Sequence, residues 1–396
     1  MPATRPRSAL DVLYSESPLV LSTSNTLIAG DRVFTGAQPD DFAAAGLLTT
    51  VDSVCLIGLA FGAAIRTITS FLPDVPITAV DIDGVTGSIC QNLYQRYFPR
   101  LPFEFVHQDG LAYLRAGTER FDVICVDLYL PEGYPDLLFQ QEFWLAVRDR
   151  LTARGVVLVN AGGLPTHLRP LDPPSPQHTL LSVLTQLWPS ARYLVNKRNW
   201  TIILESEPAD ATATAARSLR AGQFTGPDKA IMSLLPSRLR HAPVTGPIPG
   251  AEPPSFTRRW IDAEIDRRWP NLVAALRATA TPLGISNRQS RPADIVADPE
   301  NGPKLLRALL TEGNPAADFL ATAASSLAMM RQPAVGWFGQ WIVDELDWLA
   351  ETTPTWLVTI GLPQALAMSA CPLSPEWPWT DRLVDSTVQY VETDRR

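Results

Sequence analysis

The chain has 396 residues, 46% of them hydrophobic and 19% charged, with a net charge of −8. That length accommodates two cores, and the acidic balance argues against a nucleic-acid backbone as partner, which needs a basic surface. No apolar run approaches the roughly 20 residues needed to cross a bilayer, and the start, MPATRPRSALDVLY, lacks the apolar centre of a signal peptide. Cys55, Cys90, Cys125 and Cys371 are scattered, as are the four histidines, so no metal-ligand spacing emerges. A reduced, cytoplasmic, metal-free protein is expected, with neither membrane nor nucleic acid as partner.

In chain order, residues 1–50 hold short extended pieces at 19–21, 26–29 and 33–34. Gly30-Asp31 separates the last two and signals a small hairpin. An apolar run at 54–57 has the length of a fully buried strand. Gly58 and Gly62 bracket a tight loop, and Ile65, Ile68 and Leu72 then recur at helical spacing until Pro73. A second buried strand, 77–80, finishes on Asp81. In such a βαβ unit the glycines let the backbone approach a ligand, and a carboxylate ending the second strand accepts bonds from ribose hydroxyls. A glycine after a first strand also serves simply to turn the chain, and G-x-x-x-G is not the dinucleotide fingerprint, so a dehydrogenase is a distant reading.

The pattern then repeats. A helix is expected at 85–97, a third strand at 103–106 closed by Gln108-Asp109-Gly110, and a fourth strand at 121–126 ending on Asp127. A helix at 137–151 and a fifth strand at 156–159 lead into Asn160-Ala161-Gly162-Gly163. Alternating strands and helices predict a mainly parallel, doubly wound α/β sheet. Ligands bind such sheets at the carboxyl ends of the strands, and Asp81, Asp109, Asp127 and Asn160 all fall there. The proline-rich stretch 165–176 reads as a loop over that edge, 179–187 as a helix, and 192–195 and 200–204 as strands around a polar turn at 196–199.

Residues 207–254 read as a Pro/Ala-rich connection with a short helical candidate at 230–235. Beyond 255 the spacing predicts an all-α domain. Pro270, Pro303, Pro333 and Pro354 each precede an apolar-periodic stretch, as prolines in first turns do. Trp337, Trp341 and Trp348 form a stripe that reads first as core and second as an aromatic wall against a substrate. Asp344, Glu345 and Asp347 read as a solvated helix face. Four segments result: a β-hairpin region (1–50), a nucleoside-binding α/β domain (51–206), a connection (207–254) and a helical domain (255–396).

The series GLAFG, VDID, QDG and FDVICVDLYLPEGYPDLLFQQEFW, ending in LTARGVVLVNAGG, resembles the spermidine synthase-like branch of the class I S-adenosylmethionine-dependent methyltransferase fold. The similarity spans roughly residues 50–205. It implies that Gly58, Leu59, Ala60, Phe61 and Gly62 face the methionine-like tail of an S-adenosylmethionine-type nucleoside, and that Asp81, with Ile82 beside it, holds the ribose. It further implies that Asp109, with Gly110, accepts from the adenine amino group. Asp127 is implied beside the sulfonium, as general base. Two positions depart from spermidine synthases. Phe61 stands where they carry the aspartate that binds the primary amine of decarboxylated S-adenosylmethionine, and Leu130 replaces the second aspartate of D-x-x-D-P. A cation leaving water needs a charge partner.

The expected function is therefore an S-adenosylmethionine-dependent transferase moving a methyl or related alkyl group to a small-molecule acceptor. Asp127 is the base, and Tyr129, Glu132 and Asn160 are placed to orient the acceptor; Tyr129 and Glu132 read equally as residues that shape the loop. An aminopropyltransferase of polyamine type is the alternative, as is a non-catalytic scaffold. Homo-oligomer formation stays open.

Overall fold

The computed structural model describes residues 38–59, 62–72, 74–97, 103–129, 133–164, 175–196, 199–206, 224–241, 258–285, 292–329, 335–370 and 376–394. The hairpin expected within 1–37 and the loop residues 165–174 lie outside them. Residues 38–48, inside the region expected to be β, are helical: a 3-10 stretch, Gln38–Ala44, runs into one α turn, Ala45–Leu48.

The α/β part alternates as expected: β1 (Val54–Ile57), α1 (Ala63–Phe71), β2 (Ile77–Asp81), α2 (Gly84–Tyr97), β3 (Glu104–His107), α3 (Gly110–Ala116) and β4 (Phe121–Val126). There follow α4 (Gln141–Asp149), β5 (Leu151–Gly162), α5 (Pro176–Thr185), β6 (Arg192–Asn196) and β7 (Asn199–Glu205). The helix expected over 137–151 is two pieces, because Gln140 is extended (φ −95°, ψ 124°) and separates a 3-10 turn, Asp136–Phe139, from α4. The fifth strand runs well past 156–159: β7 pairs along its far end to Gly162, and Leu151 at its start pairs with Phe121 of β4. Within the connection, α6 (Gly226–Arg238) and a two-residue β8 (Arg240–His241) return to the sheet.

The strand order is β3-β2-β1-β4-β5-β7-β6-β8. The first five strands are parallel, and β7 runs antiparallel to β5. Strands buried on both faces read as unbroken apolar runs, yet their residues divide by the period of two. Cys55, Ile57, Ile124, Val126, Val157 and Val159 face a cluster with α3, α4 and α5. Leu56, Val123, Cys125 and Leu158 face the other way, onto α1, α6 and the C-terminal helices.

Among the described residues after 257 the helices are α7 (Arg258–Ala280), α8 (Pro292–Ala297), α9 (Asn301–Thr311), α10 (Ala316–Met329), α11 (Trp337–Asp344), α12 (Leu346–Thr352), α13 (Leu362–Ala370), led into by a helical turn, Pro354–Trp356, and a π-helical stretch, Leu357–Gly361, and α14 (Thr380–Asp394). Their apolar faces merge into the cluster on the sheet, so one continuous core runs from β1 to α14. Pro303 and Pro354 lie in first turns, but Pro270 lies inside the 23-residue α7. It is on the exposed side there, where a proline's missing N–H and ring clash cost least because water can satisfy the freed carbonyl. Pro333 is outside the described residues. The tryptophan stripe spans two helices. Trp341 is buried, Trp337 donates its ring N–H to the Val296 carbonyl at 2.7 Å, and Trp348 lies under the Arg307 guanidinium. Each contact is a packing role. Asp344 is held by Arg382 and Glu345 by Arg307 across helices. Among the described residues no helix is long and apolar enough to cross a membrane.

A buried ion pair ties this assembly together. Arg238, ending α6, reaches Asp41 with Nη1 at 2.8 Å and the Val195 carbonyl with Nη2 at 2.6 Å. Thr201 Oγ1 lies 3.3 Å from Asp41 Oδ2 and accepts from Gln38 Nε2 at 3.0 Å. Asp41 is fully buried and Arg238 nearly so. Removing one partner of such a pair strands the other charge away from water, at a cost of about 3–5 kcal/mol. Arg238→Met should lose about that much stability in urea unfolding, and Asp41→Asn combined with it should recover part of the loss.

Candidate active site

The carboxyl edge of the sheet gathers the expected residues in one row, because strand order rather than chain order sets their neighbours. From one side these are Asp109 after β3, Asp81 ending β2, Gly58 after β1, Asp127 after β4 and Asn160 on β5. With strands about 4.8 Å apart, Asp109 and Asp127 stand roughly 14 Å apart along the edge.

The glycine loop is shaped by a tight approach. Gly58 has φ +91°, and a Cβ there would meet the Asp127 carbonyl oxygen at 2.2 Å. Only glycine accepts both conditions. Gly62 has φ +76° and leads into α1, with the Cys90 thiol and Tyr94 ring packed beneath it. The Leu59 N–H donates to Asp81 Oδ2 at 2.7 Å and the Asp83 N–H to Asp81 Oδ1 at 2.8 Å. Asp109 caps α3, accepting from the Ala112 N–H with Oδ1 at 2.9 Å, and Gly110 is the first residue of that helix. Ile82 is 68% exposed at the same edge. Ala60, Phe61 and Glu132 fall outside the described residues, as do Leu130 and Pro131.

Asp127 is half-buried, and its backbone N–H donates to the Ile57 carbonyl at 2.8 Å. Removal from water pushes its carboxyl up to about 6; donation from Asn160 opposes the rise, and the Asp81 charge adds to it. Asn160 is buried and donates Nδ2 to Asp127 Oδ1 at 2.8 Å. The Tyr129 hydroxyl accepts from the Gly162 N–H at 2.6 Å and donates to Asn160 Oδ1 at 3.2 Å. Tyr134 packs against the Tyr129 ring and donates its hydroxyl to the Gly162 carbonyl.

The structure also brings in a residue that the sequence reading left in a turn. Asn199 opens β7, which runs antiparallel, so its first residue lies at the carboxyl edge, and its Nδ2 donates to Asn160 Oδ1 at 2.7 Å. The available signal was an amide directly before an otherwise apolar strand. Tyr134 had its signal in the aromatic spacing after Asp127.

Residues 46–169 match the sequence model of the spermine/spermidine synthase domain. This part of the chain is similar to that domain. A polyamine aminopropyltransferase of Neisseria meningitidis serogroup A is 33% identical over 144 residues, covering 36% of this chain and 50% of that protein. Polyamine aminopropyltransferase 1 of Pseudomonas aeruginosa is 30% identical over 151 residues, with 35% and 52% covered. The chain thus spans about half the length of the curated relatives it matches. Among solved structures, a spermidine synthase in complex with a transition-state analogue aligns at 19% identity and TM-score 0.35, covering 45% of this chain and 61% of that one. Human methyltransferase-like protein 13 aligns at 17% identity and TM-score 0.37, covering 46% and 88%. The spermidine synthase-like domain has the α/β, Rossmann-like architecture expected for it, with the glycine loop and three aspartates on one edge.

The raised Asp127 carboxyl bears on stability as well as chemistry. A carboxyl whose folded value lies near 6, above its ordinary range, binds its proton more tightly when folded. Stability from this group is therefore full below about pH 4 and is lost as pH rises through 6. Asp127→Asn should melt higher than the unmodified protein at pH 8, by about 1–2 kcal/mol after allowance for partial exposure, and the two curves should converge below pH 4.

Proposed function

We propose that the chain is an aminopropyltransferase, moving the three-carbon arm of decarboxylated S-adenosylmethionine to the amine of a small acceptor. The expected methyl transfer gives way to what stood as its alternative, because the relatives that match the domain are named polyamine aminopropyltransferases. The observation that carries a catalytic reading, rather than a scaffold, is Asp127. A carboxyl poised at about 6 at the carboxyl edge of the sheet is matched to taking a proton near neutral pH.

In this reading Asp109 and Asp81 hold the adenine and ribose, and Ile82 lies against the base. The glycine loop admits the sulfonium between β1 and β4, above Gly58. The sulfonium is already an activated leaving group, so alignment and deprotonation are what the protein must supply. The acceptor ammonium gives a proton to Asp127, and its freed lone pair attacks the carbon bonded to sulfur. The new N–C bond forms as the C–S electron pair returns to sulfur, leaving methylthioadenosine. Tyr129 and Asn160 line the side from which the acceptor comes.

A second reading, methyl transfer from S-adenosylmethionine itself, draws on Phe61 and Leu130, apolar residues where spermidine synthases carry carboxylates. The start of α1 offers backbone N–H groups to the carboxylate that only the undecarboxylated donor has. The two readings differ in product. Incubation with each donor and a panel of amines should release methylthioadenosine from the decarboxylated compound; release of S-adenosylhomocysteine instead would overturn aminopropyl transfer. Asp81→Ala should weaken donor binding by roughly 1–3 kcal/mol in calorimetric titration. Asp127→Asn should bind donor normally while its turnover falls by about 10²–10⁴-fold, and the unmodified rate should rise with pH through about 6 as Asp127 ionises.

A further inference from the structure

Asn160 can turn either end of its amide toward Asp127, and only one end is useful. A side-chain amide has a donor nitrogen and an acceptor oxygen of nearly the same shape, so its neighbours decide the orientation. Here two donors converge on Asn160 Oδ1: Asn199 Nδ2 at 2.7 Å and the Tyr129 hydroxyl at 3.2 Å. The Tyr129 hydroxyl has already accepted the Gly162 N–H, and its own hydrogen is shared between Asn160 Oδ1 at 3.2 Å and the Asn160 carbonyl at 3.3 Å, so Asn199 is the nearer and undivided donor. With the amide inverted, the oxygen would oppose the Asp127 carboxylate and the NH₂ would oppose both donors.

We propose that Asn199 is a positioning residue for Asp127: its amide locks the Asn160 side chain in the orientation that donates to the carboxylate. The proposal deepens the reading of Asp127 as the base and rests on it for its functional meaning. Geometry makes the assignment specific. Asn199 pairs with Gly162 and Asn160 with Thr201, so the two asparagines are diagonal neighbours on one face of the sheet. The hairpin that carries Asn199 is itself pinned, since Asp41 takes hydrogen bonds from Thr201 and Asn196, and Arg238 holds the Val195 carbonyl. The clamp between α6 and the sheet therefore ends one residue pair away from the amide that orients the base. Among the described residues, the charged or titratable groups coupled to Asp127 are Asp81 at the end of β2, which raises it, and the Cys125 thiol on β4, held neutral by burial. Asn160 is the neighbour that lowers it. Losing the lock costs that donation and moves the carboxyl upward.

The test follows the Asp127 carboxyl by carbon NMR of full-length protein carrying labelled aspartate, in the unmodified protein, Asn199→Leu and Asn199→Ala. Both substitutions are neutral, so no added charge shifts the carboxyl, and the alanine variant answers if the leucine variant does not fold. The midpoint should rise by about one pH unit in each variant, with the acid limb of the rate profile moving in step and the KM for the nucleoside donor unchanged. An unchanged or lowered midpoint overturns the proposal, because a merely structural asparagine would leave the carboxyl where it was. This readout needs no turnover. If Asp127→Asn retained full activity while the midpoint still rose in the Asn199 variants, the base assignment would fail and the positioning would stand.

Discussion

The contact between Gly58 and the backbone of Asp127 is the constraint on which the rest of the site depends. Strands β1 and β4 are hydrogen-bonded neighbours although they are separated in the chain by two full βα units. At their carboxyl ends the chain must leave β1 toward α1 while β4 leaves toward the opposite face. The left-handed turn at Gly58 lets both exits share one point, with no room for a side chain between them. Asp81 ties the loop down from the third side through the Leu59 N–H. Glycine and carboxylate are thus joined in one turn by the Leu59 N–H bond to Asp81.

Everything else in the fold braces that edge. One face of the sheet is closed by α3, α4 and α5, close in sequence to the strands they cover. The other is closed by elements from far along the chain, including α6 and the helices after residue 257. The Asp41–Arg238 pair is the polar seam in that second face. An ion pair so deep is expensive to desolvate and adds little stability compared with apolar packing. What it supplies is a fixed partner for each of several chain segments that have no covalent reason to meet.

Much of this was legible from residues alone. The runs at 54–57, 77–80 and 121–126 announced buried parallel strands because both faces are covered, and the aspartates that follow the last two announced the edge. The helix at 137–151 misread a break, since Gln140 carries no glycine or proline to mark its extended backbone. Pro270 misled in the opposite sense: a proline on the solvent side of a long helix looks, in sequence, like a helix start. Asn199 was hidden for a topological reason. Its role requires β7 to run against β5, and nothing local to 196–199 states the direction of the next strand. The helical half was legible as helices, but not as part of the sheet's own core, because burial against a distant element leaves the same periodic pattern as burial against a near one.

That shared core separates two quantities usually taken to coincide. The segment by which relatives are recognised ends at residue 169, before the antiparallel strands and long before α14. The unit that buries its apolar surface extends to the end of the described chain. Cutting the chain at the recognised boundary would lay bare Leu158, Val156 and the rest of the second face at once, a patch of the kind that drives association between molecules. The stretch that matches known relatives and the stretch that shares one apolar core are, in this chain, different lengths of polypeptide.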